Sequence, residues 1–328
     1  MTQDVLDAQT LALLGTETLR INNRVYEAQY PNWDFSRLIY VNTSGPEWSG
    51  GTITFSMDYA GEAKLQSAGA DDVPMVAVSQ DYQTRKNLEY AVGYDWHEGE
   101  VQRLSAVPAE ISNVVERRAR AARNVAQKKL YDITLLGEAQ VGLGGLINYT
   151  GIPTTTAPAD GAGGVTFWVD DDGVGTKTPA QIVRDINAAL QGVWLATSEI
   201  VLADTILLPV EAYNYIAATP YSAVTMETIL SFVQRTNIYT LQTGRPLTIR
   251  TVSELGTAGG SSTGRMVAYF NAQDYVQLHL PMPFRFHPIW RAGPFRHKVP
   301  GLFRTGGVEF LTTSAARYVD GISEPPAA

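Results

Sequence analysis

Hydrophobic and polar residues alternate strictly from Gly51: Ile53, Phe55, Met57 and Tyr59 face one way, and Thr52, Thr54, Ser56 and Asp58 the other. This period of two predicts a half-buried strand. Leu88, Tyr90, Val92, Tyr94 and Trp96 repeat the pattern, and the small polar stretch GEAKLQSAGADDVP lies between the two runs. Together they predict a long two-stranded excursion with a soft tip. An isolated hairpin buries too little to be stable in water, so its aromatic faces need another surface, in this chain or a neighbour.

The period then changes to that of a helix, from about Pro108 to Leu136, with Ser105 as a candidate cap and Pro108 in the first turn. A helix of that length spans about 43 Å. Ile111, Val115, Ala119, Ala122, Ala126, Leu130 and Ile133 fall on one stripe whose middle is all alanine, which invites close approach of another backbone. The opposite face of the segment VVERRARAARNVAQKKL is basic, with Arg117, Arg118, Arg120, Arg123 and Lys128. Composition alone makes it a solvated face.

After a passage rich in Gly, Thr and Pro, Thr178-Pro179-Ala180-Gln181 marks a helix start by capping box, with proline at the first helical position. Ile182, Ile186, Leu190 and Val193 form its buried stripe. A strand over IVLADTILLP, helices over VEAYNYIAA and TMETILSFVQR, and strands over PLTIRTVSEL and RMVAYF follow. Such alternation predicts a compact α/β unit over 178–274. Residues 1–30 read as an arm that docks on something else, and the chain closes with an aromatic, arginine-rich strand region and a Pro-rich tail.

Composition narrows the classes. The 328 residues are 45% hydrophobic, enough for a real core, and 18% charged with a formal net charge of −8, so any grip on nucleic acid must be local. The absence of cysteine excludes disulfides, thiolate metal sites and cysteine nucleophiles. The first residues lack a basic segment and a long apolar run, and no later segment supplies a span, so the expectation is a soluble protein made inside a cell, without a membrane partner.

Short motifs add little chemistry. Gly260-Ser261-Ser262-Thr263-Gly264 matches a nucleophile elbow around Ser262 but lies between two predicted strands, where a flexible surface loop is the better reading. The turn at residues 170–173, DDDG, lacks the alternating ligands of a calcium loop, and Gly175-Thr176-Lys177 lacks the spacing of a phosphate loop. His97, His279, His287 and His297 show no metal-ligand spacing, so no metal or cofactor is expected. Arg285, Arg291, Arg296, Lys298 and Arg304, interleaved with Phe284, Phe286, Trp290, Phe295 and Phe303, suit a single-strand stacking platform or, better, a β-rich subunit interface.

The order of arm, excursion, domain-length helix, glycine-rich sheet, α/β insertion and returning sheet resembles the major capsid protein of tailed phages, the Hong Kong 97-like fold that encapsulin shells share. The stretches NWDFSRLIYVNTSG, PAEISNVVERRARAARNVAQKKL, DTILLPVEAYNYIAATPYS and GLFRTGGVEFLTTSAARYVDGI carry the resemblance, which covers nearly the whole chain. It implies an α+β fold: arm and lead-in strand (1–50), extended loop over a neighbouring subunit (51–100), peripheral domain with the spine helix (101–177), axial domain (178–274), and a return to the peripheral domain with the tail (275–328). Some family members cross-link the extended loop through a lysine, for which Lys64 is the candidate here.

The resemblance further implies no catalytic site, self-assembly into hexamers and pentamers of an icosahedral bacteriophage head around double-stranded DNA, and residence in the virion after synthesis in the host cytoplasm. Scaffolding, portal and decoration proteins are the expected partners, with scaffolding as a separate protein. Candidate subunit contacts are Phe55, Tyr59, Lys64, Tyr90, Tyr94, Trp96, Arg285, Trp290, Arg291 and Arg296. The basic helix face would meet acidic neighbours or the genome as sequence-independent charge. An encapsulin-type cargo shell and a serine hydrolase built on Ser262 are the alternatives.

Overall fold

Every residue of the strand Thr205–Leu208 is buried, because the sheet that holds it is covered on both faces. Ile206 and Leu208 point into one apolar cluster with Ile182, Ile186, Leu190 and Val193 of the helix Pro179–Ala196. Leu207, between them, points into a second cluster with Leu135, Leu146, Ile147, Leu278, Val308 and Phe310. The sequence run ILLP is therefore continuously apolar where a one-sided strand would alternate.

The computed structural model describes residues 33–60, 75, 77–104, 114–222 and 224–325. The predicted arm, the hairpin tip with Lys64, and the residues Ser105, Pro108 and Ile111 of the predicted helix start lie outside them. The described chain divides into two units: 91–127 with 284–302, and 34–90 with 128–283 and 303–325.

In the larger unit, Thr205–Leu208 lies in a five-stranded sheet ordered Thr248–Thr251, Thr205–Leu208, Arg265–Tyr269, Ala316–Asp320, Thr154–Thr156. The two outer pairings are parallel and the inner ones antiparallel. Thr154–Thr156 and Ala316–Asp320 come from outside the 178–274 window, so that stretch does not complete its own sheet. The capping box is formed: Thr178 Oγ1 accepts from the backbone of Gln181, and Gln181 Oε1 accepts from the Thr178 amide at 2.7 Å. A second sheet runs Tyr40–Asn42, Val276–His279, Gly307–Phe310. The helix expected over TMETILSFVQR begins only at Ile229, because Thr225–Thr228 pairs as a strand with Pro220–Ser222 and Thr228 caps the helix.

The long helix is described over Val114–Leu136, about 35 Å. Ala122, Ala126, Leu130 and Ile133 of the predicted stripe are buried, and Val115 and Ala119 half-buried. It ends at Gly137, whose φ of +75° is left-handed and whose position leaves no room for a Cβ against the Leu143 carbonyl. Its last carbonyls, at Thr134 and Leu135, accept from the amides of Leu146 and Ile147. Among the described residues no helix is long and apolar enough to cross a membrane.

The excursion is a hairpin, but with a different return strand. Gly51–Ala60 pairs antiparallel with Ala77–Lys86, not with the run beginning at Leu88. Leu88–Ala91 and Tyr94–His97 are separate short strands, the latter paired with Arg296–Val299. The true return strand, AVSQDYQTRK, is mostly polar and carries little alternation, because a strand reaching away from the body needs no buried face of its own.

Candidate assembly surface

Cross-strand partners share a face of a hairpin, and here Phe55 stands opposite Tyr82, Ile53 opposite Thr84 and Met57 opposite Gln80. Ile53, Phe55, Met57, Val78 and Tyr82 accordingly form one apolar face, each 54–68% exposed. Tyr59 lies on the same strand opposite Val78, its side chain outside the described set. Ordinary surfaces scatter large apolar side chains singly, whereas five on one ribbon form a patch that calls for a cover.

The opposite face is polar and seats the root of the hairpin. Thr54 Oγ1 and Arg85 Nε donate to the two carboxylate oxygens of Glu309 at 3.0 and 3.1 Å, and His279 Nε2 lies 2.6 Å from Glu309 Oε2. Arg85 also donates to the Val308 carbonyl and to the Tyr149 hydroxyl. Burial would raise the Glu309 pKa, but the His279 hydrogen bond and the Arg85 charge outweigh it and lower the value to about 2. Neither Arg85 nor Glu309 was legible in the sequence as a site residue, since each reads as an ordinary charge within a strand.

In the smaller unit, Trp290–Arg291, Arg296–Val299 and Tyr94–His97 form a three-stranded sheet. Tyr94 stacks on Trp96 and meets Phe286 edge-on, and Trp96 stacks on His297. These rings are spent largely on one another, whereas Ile289, Trp290 and Phe295 remain 58–64% exposed. An open cleft of about 360 Å³ runs past Val92, Tyr94, Trp290, Lys298 and Pro300. The segment 284–302 carries four Arg and Lys residues and no carboxylate.

The predicted basic residues divide by partner. Arg296 ion-pairs with Asp95, and that hydrogen bond lowers the Asp95 pKa. Arg118 donates to the Asp95 carbonyl and pairs with Glu100 at 2.6 Å, so it is engaged within its own unit. Arg123 lies over the Phe286 ring, and Arg291 donates to the Pro294 carbonyl. Arg117, Arg120 and Arg285 also have interactions of their own. Lys128 is exposed. Tyr90 is half-buried, and its ring stacks on Phe303 while its hydroxyl donates to Glu138 at 3.0 Å, so within the single chain it is engaged with its own unit.

The remaining motifs resolve into local structure. Ser261 and Ser262 both have left-handed φ, in a turn whose Gly260 amide donates to Asp320, and Ser262 is exposed. None of the four histidines sits on this loop; His279 is spent on Glu309. Asp170 uses its carboxylate on the Val174 amide, closing the turn it begins. Lys177 is buried against Asp185 at 2.7 Å, a core ion pair. No group of metal-ligating side chains occurs among the described residues.

Comparison with known proteins places this geometry. The chain has the fold of the capsid of Myoviridae phage XM1, with a TM-score of 0.75 at 16% identity over 94% of this chain and 98% of that one. It is similar to a Mycobacterium phage Bobi structure at a TM-score of 0.60 and 13% identity, covering 95% and 98%. The capsid of a native GTA particle gives 0.59 and 9%, with the same coverage. No curated protein sequence matches. The family profile described as "Major capsid protein" matches residues 61–322, most of the chain. The family match over most of the chain, joined to a fold shared with the capsid of phage XM1, makes this chain a member of the major capsid protein family.

Proposed function

We propose that this chain is the shell subunit of a phage head, a structural protein without a catalytic role that assembles into hexamers and pentamers enclosing double-stranded DNA. The observation that carries the reading is the hairpin face of Ile53, Phe55, Met57, Val78 and Tyr82, a contiguous apolar patch exposed in the single chain. Its occupant is a neighbouring subunit. Residues 51–86 hold five carboxylates against two lysines and one arginine, and 284–302 hold four cations and no carboxylate, so electrostatics favours the hairpin of one copy over the arginine strip of the next. Residues 178–274 supply the contacts around the ring axes. Each contact is moderate, and closure into a shell makes the sum strong.

Electron microscopy and sedimentation of the purified protein test the reading. Closed particles containing nucleic acid support it. Particles filled only with protein cargo turn it toward a compartment shell, and a species that stays monomeric at every salt and concentration overturns it.

A further inference from the structure

The helix Pro179–Ala196 hands over to the strand Thr205–Leu208 through a strained turn. Ser198 and Glu199 are consecutive left-handed residues, with φ of +53° and +66°, a conformation that residues other than glycine resist. The Thr197 hydroxyl holds the turn, accepting from the Val201 amide at 3.1 Å and donating to the Val193 carbonyl at 3.0 Å. Glu199 and Ile200 thereby stand in the wall of an open cleft of about 500 Å³. Trp194, Phe270 and Tyr275 give it aromatic sides, and Tyr239, Gln242 and Arg245 close it from the helix Ile238–Thr243 and the turn that follows.

Among the described residues, the side chains of Glu199, Gln242 and Arg245 have no hydrogen-bond or ion-pair partner, and neither has the Tyr239 hydroxyl, although that residue is only 5% exposed. A polar group so buried, with no partner in its own chain, calls for one from outside. An anion, a cation, a carboxamide and a phenol between aromatic walls suit a peptide segment: the polar ends match backbone amides and carbonyls, and the walls take an apolar side chain. The rim is apolar too, with Leu195, Ile200 and Leu241 60–77% exposed.

The same unit presents such a segment. Met226 and Val224 are 100% and 92% exposed, on the ribbon in which Pro220–Ser222 pairs with Thr225–Thr228. The ribbon is pinned at its base: Tyr221 stacks on Phe232 with ring centroids 3.9 Å apart, Thr228 caps the next helix, and Glu227 pairs with Arg235 at 2.8 Å. Such preorganisation lowers the cost of docking. Charge agrees, since residues 220–228 hold one carboxylate and no cation, whereas 238–250, which supply one wall of the cleft, hold two arginines and no carboxylate.

We propose that this cleft docks a second copy of the chain, which inserts Val224 and Met226 of its ribbon between Trp194 and Arg245. The methionine thioether adapts to an irregular aromatic cleft. Ribbon and cleft are different patches of one chain, so the contact is head-to-tail and repeats from copy to copy until it closes a ring. That a ring closes rests on the shell reading above; the pairwise contact does not.

The chain lacks cysteine, so single variants can be cross-linked without background. Ile200→Cys at the cleft rim and Met226→Cys on the ribbon are both exposed positions. The two proteins, one of them tagged, are co-assembled and treated with a short bis-maleimide. The covalent mixed dimer should exceed by at least tenfold that of a control pair, Met226→Cys with Val174→Cys, an exposed site elsewhere in the larger unit. The chain carrying both Ile200→Cys and Met226→Cys should give a ladder that stops at five and six copies. A mixed dimer no stronger than the control overturns the docking. So does a Met226→Cys homodimer of equal yield, since the ribbons would then meet one another. A mixed dimer without particles leaves the docking standing and counts against the shell reading, and particles without the mixed dimer do the reverse.

Discussion

Arg85 Nε and Glu309 Oε1 meet at 3.1 Å although 224 positions separate them, and the contact joins the root of an outward hairpin to a strand of the body. Glu309 is buried to 1% side-chain exposure, so its charge is tolerated only because donors surround it. The same arrangement has a consequence for acid stability.

The folded pKa of Glu309, about 2, lies below the ordinary carboxylate value near 4.3. A depressed carboxylate contributes its full stability above the unfolded pKa and loses it as pH falls through the folded one. Replacing Glu309 with Gln should therefore cost on the order of 2–3 kcal/mol at neutral pH. The gap between the melts of the two proteins should narrow as pH falls between about pH 4 and 2. A gap independent of pH down to about 2 would contradict the assignment.

Lys177 and Asp185 are 0% and 1% exposed, and Trp168 Nε1 donates to the same Asp185 oxygen at 3.1 Å. Lys177→Met should destabilise the fold by about 1–3 kcal/mol, because Asp185 loses its buried cation but keeps Arg184 Nη2 at 2.6 Å and Trp168 Nε1. Adding Asp185→Leu should restore part of the loss, since Arg184 keeps Asp160. Urea titrations of the single and double variants decide it, and a double variant no better than the single one shows that the pair is needed for more than its mutual neutralisation.

Ala122 is 6% exposed, and Ala121 beside it faces outward. Ala122→Leu should overpack the stripe and cost roughly 1–3 kcal/mol. At Ala121 the same change should stay within about 0.5 kcal/mol. Equal denaturation midpoints for the two would mean that the stripe is not packed.

Phe55 and Tyr82 face each other across the hairpin, both more than 60% exposed. Changing both to Ser removes apolar surface that the single chain does not use, so the melt of the unassembled protein should shift by less than about 0.5 kcal/mol. Particle yield in sedimentation should nevertheless fall at least tenfold. Normal particles would mean that this face is not an assembly contact.

Gly264 sits where a Cβ would come within 2.1 Å of Ser323 Oγ and 2.9 Å of the Ser323 backbone nitrogen. Gly264→Ala should force these backbones apart and lower the melting temperature, whereas Ser262→Ala on the exposed turn should leave folding and particle formation unchanged. Loss of particles in the serine variant alone would give that loop a role the turn geometry does not.

Local chemistry determined much of the architecture from sequence alone. The Thr178 capping box, the Ala122–Ala126–Leu130–Ile133 stripe, the helix Val210–Ala218 and the strand beginning at Gly51 were all legible, because capping, helical periodicity and alternation are properties of a few consecutive residues. Pairing is not such a property. Alternation favours Leu88–Trp96 over the polar strand Ala77–Lys86, and Thr154–Thr156 joins a sheet from outside the expected window, because partners are selected by the whole fold. Tyr90 shows the same limit on one ring: alternation put it on an aromatic face, and only the tertiary structure set it against Phe303 and Glu138. Glu309 shows it for charge. A carboxylate in a strand reads as a surface residue until folding brings Arg85, Thr54 and His279 to it, and burial with three such donors is a relation among distant segments that no local pattern encodes.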